Sequence, residues 1–320
     1  MPGDQQGSEI ASGVHERIIA GDYASLMNLP ELRSVDLDGP VTYREWDGPS
    51  ETTFVLLHGL GASHLSWVQV GEPLSGLGRV LALDLPGFGS SPLEGRGAGL
   101  MDQRRTVSRF IEKLGGGRVV LGGNSMGGAL SIIQAAVEPS SVDAIVLTNS
   151  VFPWRLGAAS HPLILASFGV YATPGLGERV VSWRLRRMDP EQMVRLSLRV
   201  LAADPRSIPE DVVRLLIDLT RERKDDPDVS RSFLAAARSM LSLGRRPSMS
   251  RRALENVTCP VLLLHGRRDR LVPVAFAEAE LAKHAEWRGR FFPNLGHIPQ
   301  MEAPGRWITE VADWFADTIE

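Results

Sequence analysis

The chain has 320 residues, of which 43% are hydrophobic and 23% charged, and a formal net charge of −3. That composition is globular, the length calls for one large core plus an insertion or small second domain, and the charge balance excludes nucleic acid as an expected partner. One cysteine, Cys259 ahead of Pro260, excludes an internal disulfide framework and fits a reducing compartment, with a small core residue as its simplest role.

The first residues, Met1-Pro2-Gly3-Asp4-Gln5-Gln6-Gly7, lack the basic start and apolar stretch of a signal peptide. No run approaches the roughly 18 apolar residues of a transmembrane helix, so the expectation is a cytoplasmic protein with an N-terminal extension over 1–30. Segments 33–38 and 41–46 alternate in polarity and are expected to form an antiparallel hairpin at a sheet edge. Five continuous apolar runs follow. They are Thr53-Phe54-Val55-Leu56-Leu57, Arg79-Val80-Leu81-Ala82-Leu83, Arg118-Val119-Val120-Leu121, Ala144-Ile145-Val146-Leu147 and Val261-Leu262-Leu263-Leu264. Such runs, separated by helical patterns, predict a parallel sheet covered on both faces. A last short strand is expected near 290–292.

Between 152 and 255 the strand runs stop. Asp189-Pro190-Glu191-Gln192 starts one amphipathic helix, with Asp189 as its cap. Ser207-Ile208-Pro209-Glu210 reads as a capping box ahead of a second. Phe233, Leu234, Ala237, Met240 and Leu241 form a third stripe at helical spacing. Packing is the default role of each stripe; together they predict a helical cap inserted into an α/β core, which divides the chain into 31–151, 152–255 and 256–320. The insertion carries 18 Lys+Arg against 12 Asp+Glu, a basic surface over an acidic remainder. A solvated arginine-rich helix surface is the simpler explanation, and attraction of an anionic substrate or acidic partner the sharper one.

Four segments carry chemistry. Gly123-Asn124-Ser125-Met126-Gly127 follows a strand and opens a helix. A serine projecting from so tight a turn needs small residues two before and two after it, and the helix N-terminus behind it favours a developing oxyanion. A dinucleotide loop would need glycine at Asn124 or Met126, and a phosphate loop needs Gly-Lys-Ser/Thr; neither pattern is met. His58-Gly59-Leu60-Gly61-Ala62-Ser63 follows another strand. It can supply a second oxyanion donor, the Leu60 N–H beside that of Met126, while His58 orders the loop. Asp269, past the strand ending at His265-Gly266, can fix a histidine tautomer. Its alternative role is helix capping. Of seven histidines, His297 in Asn294-Leu295-Gly296-His297-Ile298 alone follows that acid by a single short strand. A loop histidine there suits a general base, and the chain order is Ser, Asp, His.

With Asp84-Leu85-Pro86-Gly87-Phe88-Gly89-Ser90-Ser91 added, these segments resemble the cap-bearing branch of the α/β-hydrolase fold family from about residue 53 to 302. The resemblance implies an eight-stranded, mostly parallel sheet flanked by helices, a helical cap after the sixth strand, a structural role for Asp84, and neither metal nor organic cofactor.

A serine at the elbow sets the chain apart from fold relatives that use aspartate (haloalkane dehalogenases, epoxide hydrolases) or cysteine (dienelactone hydrolases). It suits acyl transfer, with hydrolysis of a small-molecule carboxylic ester as the default. The elbow is also similar to that of carbon–carbon bond hydrolases acting on vinylogous diketones, for which Arg184, Arg186 or Arg187 would meet a carboxylate. The chain departs from those enzymes at Ile298, where they are usually similar in carrying tryptophan, and at Leu60-Gly61-Ala62-Ser63, where they tend toward Gly-Pro-Gly. Perhydrolases and lactonases share the triad, and some members of the fold are non-enzymatic receptors. The expected substrate contacts are Gly59, Phe152, Trp154, Trp183 and Ile298, with Leu185, Phe233 and Met240 as further lining.

Overall fold

A computed structural model describes residues 29–49, 51–152, 162–244 and 253–318, with side chains from residue 166 onward in the third span. Residues 1–28 of the N-terminal extension and Trp154 therefore lie outside the described residues.

Eight strands form one sheet: β1 (Leu32–Asp36), β2 (Pro40–Trp46), β3 (Thr52–Leu57), β4 (Arg79–Leu83), β5 (Arg118–Asn124), β6 (Ala144–Thr148), β7 (Val261–Gly266) and β8 (Arg288–Phe292). The spatial order is β1-β2-β4-β3-β5-β6-β7-β8. The expected hairpin is β1 and β2, antiparallel at one edge; β2 also pairs antiparallel with β4, and every neighbour pair from β4 onward is parallel. β3 is flanked by β4 on one side and β5 on the other, so the winding reverses there. A crevice opens at the carboxyl ends of strands at such a reversal.

Period-two alternation along each buried strand feeds two apolar layers. Phe54, Leu56, Val80, Ala82, Val120, Val146, Leu262 and Leu264 face one layer. Val55, Leu57, Leu81, Leu83, Val119, Leu121, Ile145, Leu147 and Leu263 face the other. Helix α1 (Val68–Leu74) covers the first face. Helices α2 (Leu100–Lys113) and α3 (Met126–Val137) cover the second. This two-sided burial is why the strand runs read as continuously apolar.

Between β6 and β7 the described residues hold α4 (Pro162–Ala172), α5 (Leu176–Arg187), α6 (Pro190–Leu201), α7 (Glu210–Glu222) and α8 (Pro227–Gly244). Asp189 caps α6 as its sequence indicates, accepting from the Glu191 and Gln192 N–H groups. The capping box expected at Ser207 does not form. Pro209 precedes α7 without a side-chain cap, and Ser207 closes a short 3-10 turn capped by Asp204. Glu210 turns instead to Arg195, at 2.5 Å. The helix starts at Glu210 with Pro209 in the capping position, so Ser207 stands two residues too early to cap it. Val194, Leu198, Val212, Val213 and Ile217 join the first apolar layer, while Ala236 and Met240 join the second. The insertion is thus packed into the same core. Helices α9 (Val274–Leu281), α10 (Pro299–Glu302) and α11 (Pro304–Thr318) complete the chain. Cys259 is partly buried against the second layer, and burial pushes its thiol up to about 11.

Candidate active site

Ser125 stands between β5 and α3 with φ 56° and ψ −111°, a backbone that side-chain-bearing residues rarely adopt. Packing holds it there. A Cβ on Gly123 would lie 2.2 Å from the Gly127 backbone, and one on Gly127 would lie 2.1 Å from the Leu57 carbonyl. Both positions therefore admit only glycine, which lets strand and helix approach closely enough to force the turn. The Ser125 N–H donates to the Thr148 carbonyl at 3.0 Å. Ser125 is partly exposed between the buried Asn124 and Met126.

The loop after β3 lies alongside. A Cβ on Gly59 would come within 3.3 Å of the Ser125 Cβ. His58 is fully buried. It donates through Nδ1 to the Gly59 carbonyl at 2.7 Å, and its Nε2 accepts from the Leu85 N–H at 3.1 Å. Burial lowers its pKa, which the nearby Asp84 charge opposes without reversing, so it is a neutral loop brace. Among the described residues, neither the Leu60 nor the Met126 N–H donates to another group. The Met126 N–H belongs to the first turn of α3, where helix donors lack internal acceptors.

Asp84 is wholly buried and accepts from the His64 N–H at 2.7 Å, His64 Nδ1 at 2.8 Å and the Ser90 N–H at 2.7 Å. Burial raises its pKa, but the hydrogen bond and charge of His64 outweigh that and hold it below the usual carboxylate range. It ties the 84–91 loop to the 58–64 loop and touches no site residue directly.

His297, in the loop after β8, brings Nδ1 within 2.7 Å of Asp269 Oδ2, in the loop after β7. Asp269 Oδ1 accepts from the Leu271 and Val272 N–H groups at 2.8 and 3.0 Å, and Oδ2 also accepts from Asn149 Nδ2 at 2.7 Å. Burial alone would raise the Asp269 pKa. The charge of His297 and hydrogen bonds from His265 and His297 hold it well below the usual range instead. The Asn124 amide donates to the His297 carbonyl at 3.0 Å, which fixes the histidine loop to the residue preceding Ser125. Ser125, Asp269 and His297 thus come from the carboxyl ends of β5, β7 and β8, at one edge of the sheet.

Two contributors lack a sequence signal. Asn149 reads only as the end of the β6 run. It has φ 45°, bonds to Asp269, donates to the Gly296 carbonyl at 3.1 Å and accepts from the Gly266 N–H at 3.2 Å. Leu201, at the end of α6, accepts from the His297 N–H at 2.7 Å. Glu302 strengthens that junction by accepting from the Ala203 and Gly296 N–H groups at 2.7 and 2.8 Å.

The expected substrate contacts divide. Phe152 and Ile298 are buried, Phe152 in the second apolar layer and Ile298 in the first. Phe233 is partly exposed and close to Gly61, within 3.2 Å of where its Cβ would stand, and Met240 is core. Trp183 departs from the expectation. It is 58% exposed on the outer face of α5 and lines no buried surface, because α5 packs inward at Gly177, on the other side of the helix, where Val181 and Leu185 are half-buried. Arg186 and Arg187 are exposed on the same helix. Among the described residues no group of three or more His, Cys, Asp and Glu could hold a metal ion, and no helix is long and apolar enough to cross a membrane.

A family model described as "Alpha/beta hydrolase family" matches residues 54–311. Among curated relatives, the dihydrolipoyllysine-residue acetyltransferase component of the acetoin cleaving system of Cupriavidus necator is 28% identical over 83% of this chain; the chain spans 64% of that protein's length. A 2-hydroxy-6-oxononadienedioate/2-hydroxy-6-oxononatrienedioate hydrolase of Cupriavidus pinatubonensis is 27% identical over 84% of this chain and 89% of its own length. A solved putative lipase from Acinetobacter baumannii superimposes with a TM-score of 0.72 at 19% identity, covering 96% of each chain. A thermophilic esterase from Thermogutta terrifontis superimposes at 0.65 and 22% identity, covering 90% of this chain and 98% of its own. These two structural likenesses concern the fold alone.

Proposed function

The chain belongs to the alpha/beta hydrolase family, and from that premise we propose that it is a serine hydrolase cleaving a small-molecule carboxylic ester through an acyl-enzyme on Ser125. One observation carries the reading. A buried carboxylate, Asp269, holds His297 by Nδ1 at 2.7 Å, and the residue before Ser125 holds the His297 backbone. With Nδ1–H engaged, the lone pair of Nε2 is left to take a proton, which is the tautomer a general base requires.

In this mechanism Nε2 of His297 takes the Ser125 proton as Oγ adds to the carbonyl carbon. The oxygen becomes an oxyanion held by the Leu60 and Met126 N–H groups. His297 then protonates the departing alcohol, leaving the acyl group on Ser125. Water, activated by His297, adds to the acyl carbon and expels Ser125, and the acid departs. Asp269 stabilises each imidazolium without accepting its proton. No step calls for a cofactor. Residues 152–255 act as the cap over this site, a role supported by Phe233 against the oxyanion loop and by the Leu201 carbonyl on His297.

A second reading is carbon–carbon bond hydrolysis. It rests on the name of the Cupriavidus pinatubonensis relative and on the elbow Gly123-Asn124-Ser125-Met126-Gly127-Gly128. Turnover of p-nitrophenyl esters of increasing chain length, with Ser125→Ala alongside, tests the first. Turnover lost in the variant supports it. Fluorophosphonate labelling of Ser125 without ester turnover, together with bleaching of a vinylogous diketone, moves the assignment to the second. Neither labelling nor turnover overturns both.

A further inference from the structure

Helix α5 packs by one side only. Gly177 is buried against the Tyr171 carbonyl and Leu234, and Glu178 pairs with Arg238 at 2.7 Å. The opposite side exposes Leu176, Val180 and Trp183, at 45%, 38% and 58%. Their spacing of four and three residues aligns them in a single stripe along the helix. Arginines frame it. On a helix of 3.6 residues per turn, Arg179 and Arg186 fall on one flank, Arg184 on the other, and Arg187 one turn beyond Trp183. Among the described residues none of these four has an ion-pair partner, and the helix's one acid, Glu178, is already engaged by Arg238.

An apolar stripe bordered by arginines, with tryptophan at its C-terminal end, has the chemistry of a helix lying in a lipid interface. Tryptophan sits at headgroup level, arginines meet phosphates, and the aliphatic residues enter the acyl boundary. A second copy of the chain fits poorly. A two-fold contact sets the same patch against itself, and so would face four arginines with four arginines.

We propose that the outer face of α5 docks the protein on an anionic lipid surface. The packed side of α5 connects through its neighbours to the candidate site. Tyr171, on the helix beside α5, meets Phe233 edge-to-face at 5.1 Å, and Phe233 abuts Gly61 next to Leu60. The inference stands apart from the acyl-transfer reading, since vesicle binding requires no turnover.

The test is cosedimentation of the full chain with vesicles of phosphatidylcholine and of an equal mixture of phosphatidylcholine and phosphatidylglycerol. Each arginine near an anionic leaflet strengthens partition by about five-fold. The expected result is therefore at least about ten-fold more binding to the mixed vesicles, lost when salt rises from about 0.1 M to about 1 M. Arg186→Glu/Arg187→Glu removes it by reversing charge, and Trp183→Gln weakens it while leaving the charge intact. Arg214→Glu, a reversal on α7, leaves it unchanged. Circular dichroism melts establish that each variant folds. Equal binding to both vesicle types overturns the proposal. So does binding indifferent to the α5 substitutions, or an α5-dependent dimer that ignores vesicles.

Discussion

Asn149 Nδ2 donates to Asp269 Oδ2 at 2.7 Å, the same oxygen that His297 Nδ1 reaches at 2.7 Å. The aspartate is thus aimed from two directions, by the histidine it serves and by the strand end between the nucleophile and the acid. Asn149→Ala removes a donor from Asp269 and leaves the Gly296 carbonyl and Gly266 N–H without their partner. The expected loss in kcat/KM is about 10- to 100-fold, the scale seen when partners of directly acting groups are removed. Unfolding free energy falls by about 1–3 kcal/mol per stranded group at most. Ester kinetics and urea unfolding on one preparation read both.

Ser125 carries its side chain at φ 56°, where glycine is at ease. Ser125→Gly is expected to abolish turnover while raising the melting temperature by about 2 °C, if the relieved strain exceeds the added chain entropy by about 1 kcal/mol. Ser125→Ala abolishes turnover with no such gain, because its Cβ keeps the strain. Calorimetry of the two variants side by side decides the matter; equal melting temperatures would mean the strain relieved does not exceed the chain entropy added.

Two of the glycines around the serine differ in what substitution costs. A Cβ at position 127 meets the Leu57 carbonyl at 2.1 Å, backbone that cannot yield, so Gly127→Ala is expected to yield no soluble folded protein. A Cβ at 59 meets the Ser125 Cβ at 3.3 Å and Asn124 Oδ1 at 3.4 Å, tight but tolerable. Gly59→Ala should fold, losing about 1 kcal/mol or less, and show its effect in kcat through the displaced serine. Expression yield and steady-state kinetics separate the cases.

Asp84 and Asp269 both have folded-state pKa values below their unfolded ones. A depressed carboxyl contributes stability that is complete above its unfolded pKa of about 4 and is lost as pH falls through the folded value. Stability should hold level from pH 7 to about 5 as far as these two groups are concerned, then decline below about 4. Asp84→Asn, which breaks a buried pair with His64, should cost about 3–5 kcal/mol at neutral pH and flatten that decline. Urea midpoints across pH test this. In kinetics, Asp269 remains ionised from pH 7 to about 5, so the acid limb of kcat/KM should fall with a slope of no more than one proton. A slope of two would place Asp269 in the titration.

Much of this molecule is written locally. The parallel sheet follows from apolar runs long enough for a strand and buried on both faces. The elbow follows from glycines two residues either side of Ser125, whose necessity is a steric fact of the tight turn. His297 and Asp269 stand out because each follows a strand, and strand ends converge at one edge of a parallel sheet whatever the details of packing. Other features depend on approach between distant segments. Asn149 has no motif, since its role arises only when the loops after β7 and β8 close over the end of β6. The Leu201–His297 and Glu302 contacts join the insertion to the histidine loop across about a hundred residues of chain. The Ser207 box lost to a turn capped by Asp204 because local hydrogen-bond patterns of similar energy compete, and packing chooses between them. Trp183 faces outward for a like reason. Apolar character marks a residue for burial, but which side of a helix is buried is decided by the neighbour it meets, and for α5 that neighbour lies along Gly177 and Leu185.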